Sequence, residues 1–278
     1  MGNLVEQVVQ HVRSRSTGGP IASDIPVTLN FHPDVVLCGQ TTIERLASEG
    51  VYRSQFETGT SNGGLTAYIG GSRWLWERHL FGTTYDEADW ALRPKYGALN
   101  YRADPAGGSR RFGSCHLRLK PHMMGRTTFC YPDSHMQPEN FGVADSMALI
   151  ALADRNEQGL DPLDDYIEAH VHGLLLIAED VEAVVLDPSY RGTPVEESAQ
   201  SLPCKVEWHD GFRMFADSLA DCEAYRGAEV AKTLSRLLVD NPVTPLDIGT
   251  ARVGGLDPQL AKWAWHCVAR FGHSANEH

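Results

Sequence analysis

The chain lacks the features that would place it in the simpler classes. No apolar run approaches the roughly 18 residues of a membrane span. No Cys-x-x-Cys pair occurs, and the six cysteines (Cys38, Cys115, Cys130, Cys204, Cys222 and Cys267) are scattered. In a chain this long they read as reduced, buried thiols and not as a disulfide framework. There is no Gly-x-Ser-x-Gly elbow, no Walker loop and no Gly-x-Gly-x-x-Gly turn, so three common catalytic and nucleotide-binding plans drop out. Internal repeats and low-complexity blocks are also missing. Positive charge is scarce: 24 Lys and Arg against 36 Asp and Glu give a net charge of −12. Such a balance opposes a sequence-independent grip on nucleic-acid backbones, yet leaves room for one nucleotide in a local basic pocket. Among the first residues, Glu6, Gln7, Gln10 and His11 interrupt the valines, unlike a secretory signal. A cytoplasmic address is the expectation, with delivery to a target cell if the protein is a toxin or effector.

What is present is ordinary globular material, 278 residues of which 42% are hydrophobic, enough for a sizeable core. The expected fold class is α+β, read as one catalytic domain over 1–278. It divides into a helical and loop N-terminal part (1–50), a strand-rich core (51–210) and a helical C-terminal part (211–278). Leu4, Val5, Val8, Val9 and Val12 make a helical stripe. Thr41, Thr42 and Glu44 open a short helix that Gly50 stops, and Ser72 opens another that ends near Gly82. Alternation in Val51–Phe56 predicts a strand on which Arg53 and Gln55 share a face. Further strands are expected at Lys95–Tyr101, Phe112–Leu119, Arg126–Tyr131, Tyr166–Ile177 and Val181–Leu186. Helices are expected around 145–155, 213–220, 223–239 and 257–270.

Three segments carry candidate chemistry. The first is Arg53 with the Gly/Ser/Asn-rich loop behind it. A guanidinium holds phosphate bidentately, and glycines let backbone N–H groups approach closely. The same pattern also suits a surface arginine beside a turn. The second is Arg126–Ser134, where Thr127 and Thr128 could orient an arginine or a ribose, or simply pair across a sheet. The third is Asp165–Gly173. A period of two sets Tyr166, Glu168, His170 and His172 on one face, opposite Ile167, Ala169 and Val171. An ordinary half-buried strand also has a wet polar face. Imidazoles two apart can instead bind Zn²⁺, which keeps a metal-dependent hydrolase using His170 and His172, with His116 and His122, as an alternative. A non-catalytic module binding a nucleotide or a partner protein is the other alternative.

The segments Val27–Asp34, Tyr52–Gly64, Arg93–Asn100, Arg111–His116 and Glu168–Gly173 together resemble a bacterial family catalogued only as a domain of unknown function, DUF3626. That resemblance covers roughly residues 25–215. More distantly, Tyr52-Arg53, a mid-chain Ser/Thr strand and the later Glu168 strand are similar to mono-ADP-ribosyltransferases. This second resemblance implies a split, largely antiparallel sheet. It implies NAD as co-substrate, no metal, and transfer of ADP-ribose to a protein, nucleobase or small molecule, or to water. Glu168 would be the catalytic carboxylate, with His170 or His172 tuning it or deprotonating an acceptor. Arg53, Gln55, Tyr166 and Thr127 or Thr128 would line the NAD site, and Thr58, Gly59, Thr60, Ser61, Asn62 and Gly63 would close over the dinucleotide. Tyr166 stands where arginine-directed members carry Glu or Gln, a departure that puts arginine modification in doubt.

Overall fold

Val27, Leu29 and Phe31 alternate with Thr28 and Asn30, and all five residues are buried in strand β1 (Val27–Phe31). A strand buried on both sides belongs in the middle of a sheet. A computed structural model describes residues 2–22, 24–59, 66–238 and 241–272, and in it β1 is central. The part before residue 50 is therefore not only helix and loop, because this short alternating run gives it a core strand. Next come the small hairpin β2 (Val36–Leu37) and β3 (Gln40–Thr41), then β4 (Lys95–Leu99), β5 (Cys115–Leu119), β6 (Thr127–Tyr131) and β7 (Asn140–Val143). The set ends with β8 (Glu168–Val171), β9 (Val181–Leu186) and β10 (Lys205–Trp208). The main sheet has eight strands in the order β10-β9-β5-β1-β4-β8-β6-β7. Its pairs are antiparallel except β9 with β10. A mixed α+β fold on a largely antiparallel sheet is thus as expected.

Helices cover both sides. α1 (Gly2–Arg13) brings Val8, Val9 and Val12 against Trp76, Leu80 and Phe81 of α4 (Ser72–Phe81). The main core joins Leu29, Leu117, Phe129 and Val171 to Ile43 and Leu46 of α2 (Thr42–Glu49). Thr41 and Glu44 close a capping box on α2, and Gly50 stops it at φ 66°, a conformation glycine adopts freely.

The expected strand at Val51–Phe56 does not form. Ser54 accepts from the Glu57 N–H while Glu57 accepts from the Ser54 N–H, and this box starts the one-turn helix α3 (Gln55–Thr58). Local capping wins over a short alternation. The segment Tyr166–Ile177 contains only the four-residue strand β8 and the short α6 (Ile177–Asp180). The helix near 145–155 is α5 (Leu149–Arg155), and α7 (Pro194–Gln200) precedes β10.

Towards the C-terminus the helices are α8 (Leu219–Arg226), α9 (Ala228–Leu237), α10 (Pro245–Val253) and α11 (Pro258–Phe271). Gly227, at φ 93°, separates α8 from α9, and the helix expected over 213–220 begins only at 216, with a short 3-10 turn (Ala216–Ser218) leading into α8 after a bridge from Met214 to Val243. Trp265 of α11 donates to the carbonyls of Arg110 and Arg111 at 3.1 and 3.0 Å, which ties this helical part to the sheet.

Lys95 is only 1% exposed and has three carbonyl acceptors: Ala91 (2.5 Å), Arg93 (3.0 Å) and Gly173 (2.7 Å). It joins the turn before β4 to the end of β8. Lys95→Met would leave those carbonyls buried without a donor, and a loss of about 1–3 kcal/mol is expected. Urea denaturation checks it, and an unchanged midpoint would rule out this tie.

Candidate active site in the split of the sheet

β1 and β4 pair at only two positions, Val27 with Leu99 and Thr28 with Ala98. Beyond them the strands part, and a cavity of about 370 Å³ opens between Asn30, Phe31 and His32 on one side and Lys95, Tyr96 and Gly97 on the other. Gly97 permits the close crossing, since a Cβ there would lie 2.3 Å from the Thr28 carbonyl oxygen. The volume is in the range of small-molecule pockets.

Glu168 of β8 stands on the wall of this cavity, 5% exposed. Its Oε1 accepts from His170 Nε2 at 2.9 Å. Its Oε2 accepts from the Ser134 hydroxyl at 3.0 Å and the Ser134 N–H at 3.3 Å. Arg73 of α4, itself buried, donates to Ser134 Oγ at 3.0 Å and stacks over the Tyr96 ring at 3.9 Å. Burial raises the Glu168 carboxyl, but His170, Arg73 and Ser134 outweigh it and hold the group below the ordinary carboxylate value, so it is ionised at neutral pH.

A second carboxyl shares the wall. Asp133 accepts from the Tyr166 hydroxyl at 2.8 Å and caps the turn after β6 through the His135 N–H at 2.9 Å. Burial and the charge on Glu168 push Asp133 up. Two carboxyls driven in opposite directions are suited to different proton states.

The residues expected from the sequence fare differently. Glu168, Tyr166, Arg53, Gln55 and Thr58 all line the one cavity. Arg53 is not on a strand, however, and its Nε and Nη1 meet Glu49 at 2.6 Å and Glu57 at 3.2 Å. Gln55 Oε1 is buried with no partner among the described residues. Gly59 ends α3 at φ 64°. Thr60, Ser61, Asn62 and Gly63 lie outside the described residues.

Thr127 and Thr128 do not reach the cavity. Thr127 pairs with Val171, on the side of β8 away from Glu168, and donates to the Met123 carbonyl at 2.8 Å. Thr128 sits between the two histidines. The hydroxyl beside Glu168 belongs to Ser134, at the end of the singled-out segment. His170 touches Glu168 from behind, whereas His172 contacts Thr128 (2.9 Å) and Tyr85 (2.7 Å) and is fully buried. As placed, His172 cannot deprotonate an acceptor in the cavity. The polar face of β8 is not a wet one. Arg73, Asp133 and Ser134 are the site residues that sequence reasoning passed over. The Pro132-Asp133-Ser134 pattern marked a turn at Asp133 and Ser134 without pointing to Glu168, and nothing local marked Arg73.

The four-histidine metal alternative is not assembled. His116 lies on β5, three strands from β8, and His122 pairs with Asp180 at 3.0 Å. Among the described residues, Cys130 Sγ, a Glu168 oxygen and a His170 nitrogen lie within 4.8 Å of one another. His170 and Glu168 are bonded to each other at 2.9 Å, and burial and the Glu168 charge hold the Cys130 thiol protonated.

The family model described as "Protein of unknown function (DUF3626)" matches residues 26–160 and 149–267. The chain belongs to this family. The DUF3626 match runs past the expected 25–215 and takes in β10 and most of the C-terminal helices. No curated protein matches the chain. No helix among the described residues is long and apolar enough to cross a membrane.

Proposed function

We propose that the cavity binds the nicotinamide–ribose end of NAD and that this DUF3626 chain is an ADP-ribosyltransferase-like enzyme. One observation carries the reading: a buried Glu168, hydrogen-bonded by His170 and Ser134, on the wall of a cavity that opens where β1 and β4 part. Breaking the nicotinamide–ribose bond sends the bonding electrons to nicotinamide and develops positive charge on the ribose. A fixed carboxylate stabilises that charge. The acceptor (a protein side chain, nucleobase, small molecule or water) then attacks the same carbon and loses a proton, for which Asp133 is the second carboxyl available. Arg73 supplies the buried cation of the wall. Arg53 would hold phosphate at the rim by exchanging Glu49 and Glu57 for it.

The test is nicotinamide release from NAD by the purified protein beside Glu168→Gln. Release that depends on Glu168 supports the reading. NAD binding with no release, unaffected by the substitution, favours a binding module. Arg53→Ala is expected to weaken NAD binding about 5–10-fold, roughly 1–1.4 kcal/mol, and to leave the melting temperature almost unchanged, because exposed ion pairs contribute only about 0–1 kcal/mol. Superimposable NAD titrations for Arg53→Ala and the parent would remove Arg53 from the site.

A further inference from the structure

Behind Glu168 the polar face of β8 continues inward as a chain of four hydrogen bonds. Glu168 Oε1 meets His170 Nε2 at 2.9 Å, and His170 Nδ1 meets Thr128 Oγ1 at 3.2 Å. The same Thr128 oxygen meets His172 Nε2 at 2.9 Å, and His172 Nδ1 meets the Tyr85 hydroxyl at 2.7 Å. Phe81 packs edge-on to both imidazoles, at 5.5 and 5.0 Å between centroids. His170, His172 and Thr128 are 0% exposed and Tyr85 is 2% exposed.

With His170 neutral, the proton inventory of this chain closes in one direction. An ionised Glu168 only accepts, so His170 Nε2 carries a hydrogen. In a neutral ring His170 Nδ1 then accepts, and its partner is the Thr128 hydroxyl. That uses the single hydroxyl proton of Thr128, so its contact with His172 is a hydrogen bond donated by His172 Nε2. His172 Nδ1 is left as an acceptor and takes the Tyr85 proton. Both partners of His172 are hydroxyls, and no carboxylate touches that ring among its hydrogen bonds. Burial and the nearby charges of Lys95 and Arg126 also keep it neutral.

We infer that Tyr85, His172, Thr128 and His170 form a one-way hydrogen-bond chain that fixes His170 as the Nε2–H tautomer and so keeps its donor on Glu168, aiming the carboxylate at the cavity. Tyr85 and Thr128 are positioning residues, more than one contact removed from any substrate. The inference rests on Glu168 being the working carboxylate of the proposed reaction, but the chain itself is measurable without NAD. Losing one link leaves a buried ring nitrogen unpaired and frees the rings to choose another tautomer.

Long-range ¹H–¹⁵N spectra of histidine-labelled protein read the tautomers directly. In the parent at neutral pH, both His170 and His172 are expected to be neutral and protonated at Nε2. Thr128→Val is expected to turn His172 to the Nδ1–H form, donating to Tyr85, and to raise the midpoint of the Glu168 carboxyl ¹³C titration. Thr128→Ser should restore both signatures. Tyr85→Phe, which changes only the far end, should move the His172 Nδ1 shift to that of an unbonded nitrogen. A parent with His172 protonated at Nδ1, or with a doubly protonated His170, would overturn the chain, even if Thr128→Val proves unable to fold. So would a folded Thr128→Val with unchanged ring and carboxyl signals. If the spectra are as expected and nicotinamide release is absent, the chain stands and the NAD reading fails.

Discussion

Glu168→Gln is expected to cut nicotinamide release from NAD by about 10²–10³-fold, the usual effect of removing one preorganised group at a developing charge. Glutamine keeps the shape and loses the charge. The fold should survive at a cost. Both Glu168 oxygens accept hydrogen bonds from buried donors, one from His170 and the other from Ser134. The glutamine amide must present its NH₂ to one of those donors, a loss of about 1–3 kcal/mol. The pH dependence has a definite sign. The folded carboxyl lies below its ordinary value, because His170, Arg73 and Ser134 outweigh the burial that raises it. The folded state therefore binds the proton less readily than the unfolded chain. The charge contributes stability at neutral pH, and that stability is lost as the pH falls through the carboxylate range. In Glu168→Gln the acid limb of the stability curve should flatten. A Glu168→Gln enzyme that releases nicotinamide at the parent's rate would sink the proposed chemistry.

The largest expected effect on stability is at Glu77. Its Oε2 meets Arg93 Nη1 at 2.5 Å, with the two side chains 1% and 2% exposed, and its Oε1 accepts from the Tyr96 hydroxyl at 2.9 Å. Arg93 also donates to the Tyr85 carbonyl at 2.8 Å and lies over the Phe56 ring at 4.1 Å. Arg73 feels the same carboxylate. Glu77→Ala would leave the buried Arg93 guanidinium without its counter-charge. Breaking a buried pair by removing one partner costs about 3–5 kcal/mol, on the order of 10 °C in melting temperature for a chain of this size. Tyr96, which then loses its acceptor, is the ring on which Arg73 stacks beside Ser134, so activity should fall as well. The double variant Glu77→Leu/Arg93→Met should recover much of the stability, since replacing both charges removes the desolvation penalty with the attraction. An unfolding free energy from urea denaturation for Glu77→Ala within about 1 kcal/mol of the parent would show that this pair does not hold the site.

Part of this was legible in the sequence because it is local. A two-residue period placed Glu168, His170 and His172 on one face of β8, and their hydrogen-bonded row keeps that order. Caps and stops set α2 between Thr41 and Gly50. Local signals misled where a cap competed with an alternation, as at Ser54 and Glu57, and where a short strand lay between loops, as at Val27–Phe31.

The tertiary structure decided the rest. Strand order sets β8 between β4 and β6, so that Cys130 and Ala98 flank Glu168 while Thr128 and Tyr96 flank His170. The parting of β1 from β4 after two pairs makes the cavity, and α4 buries the polar face that a lone strand would leave wet. Arg73, Asp133 and Ser134 join Glu168 across sequence separations of 34 residues or more. The sequence by itself determined which residues share a face, because that depends on the repeat of one strand. Which face is buried, and which distant turn supplies the hydroxyl and the second carboxyl, depends on non-local pairing, for which no local pattern in this chain carries a signal.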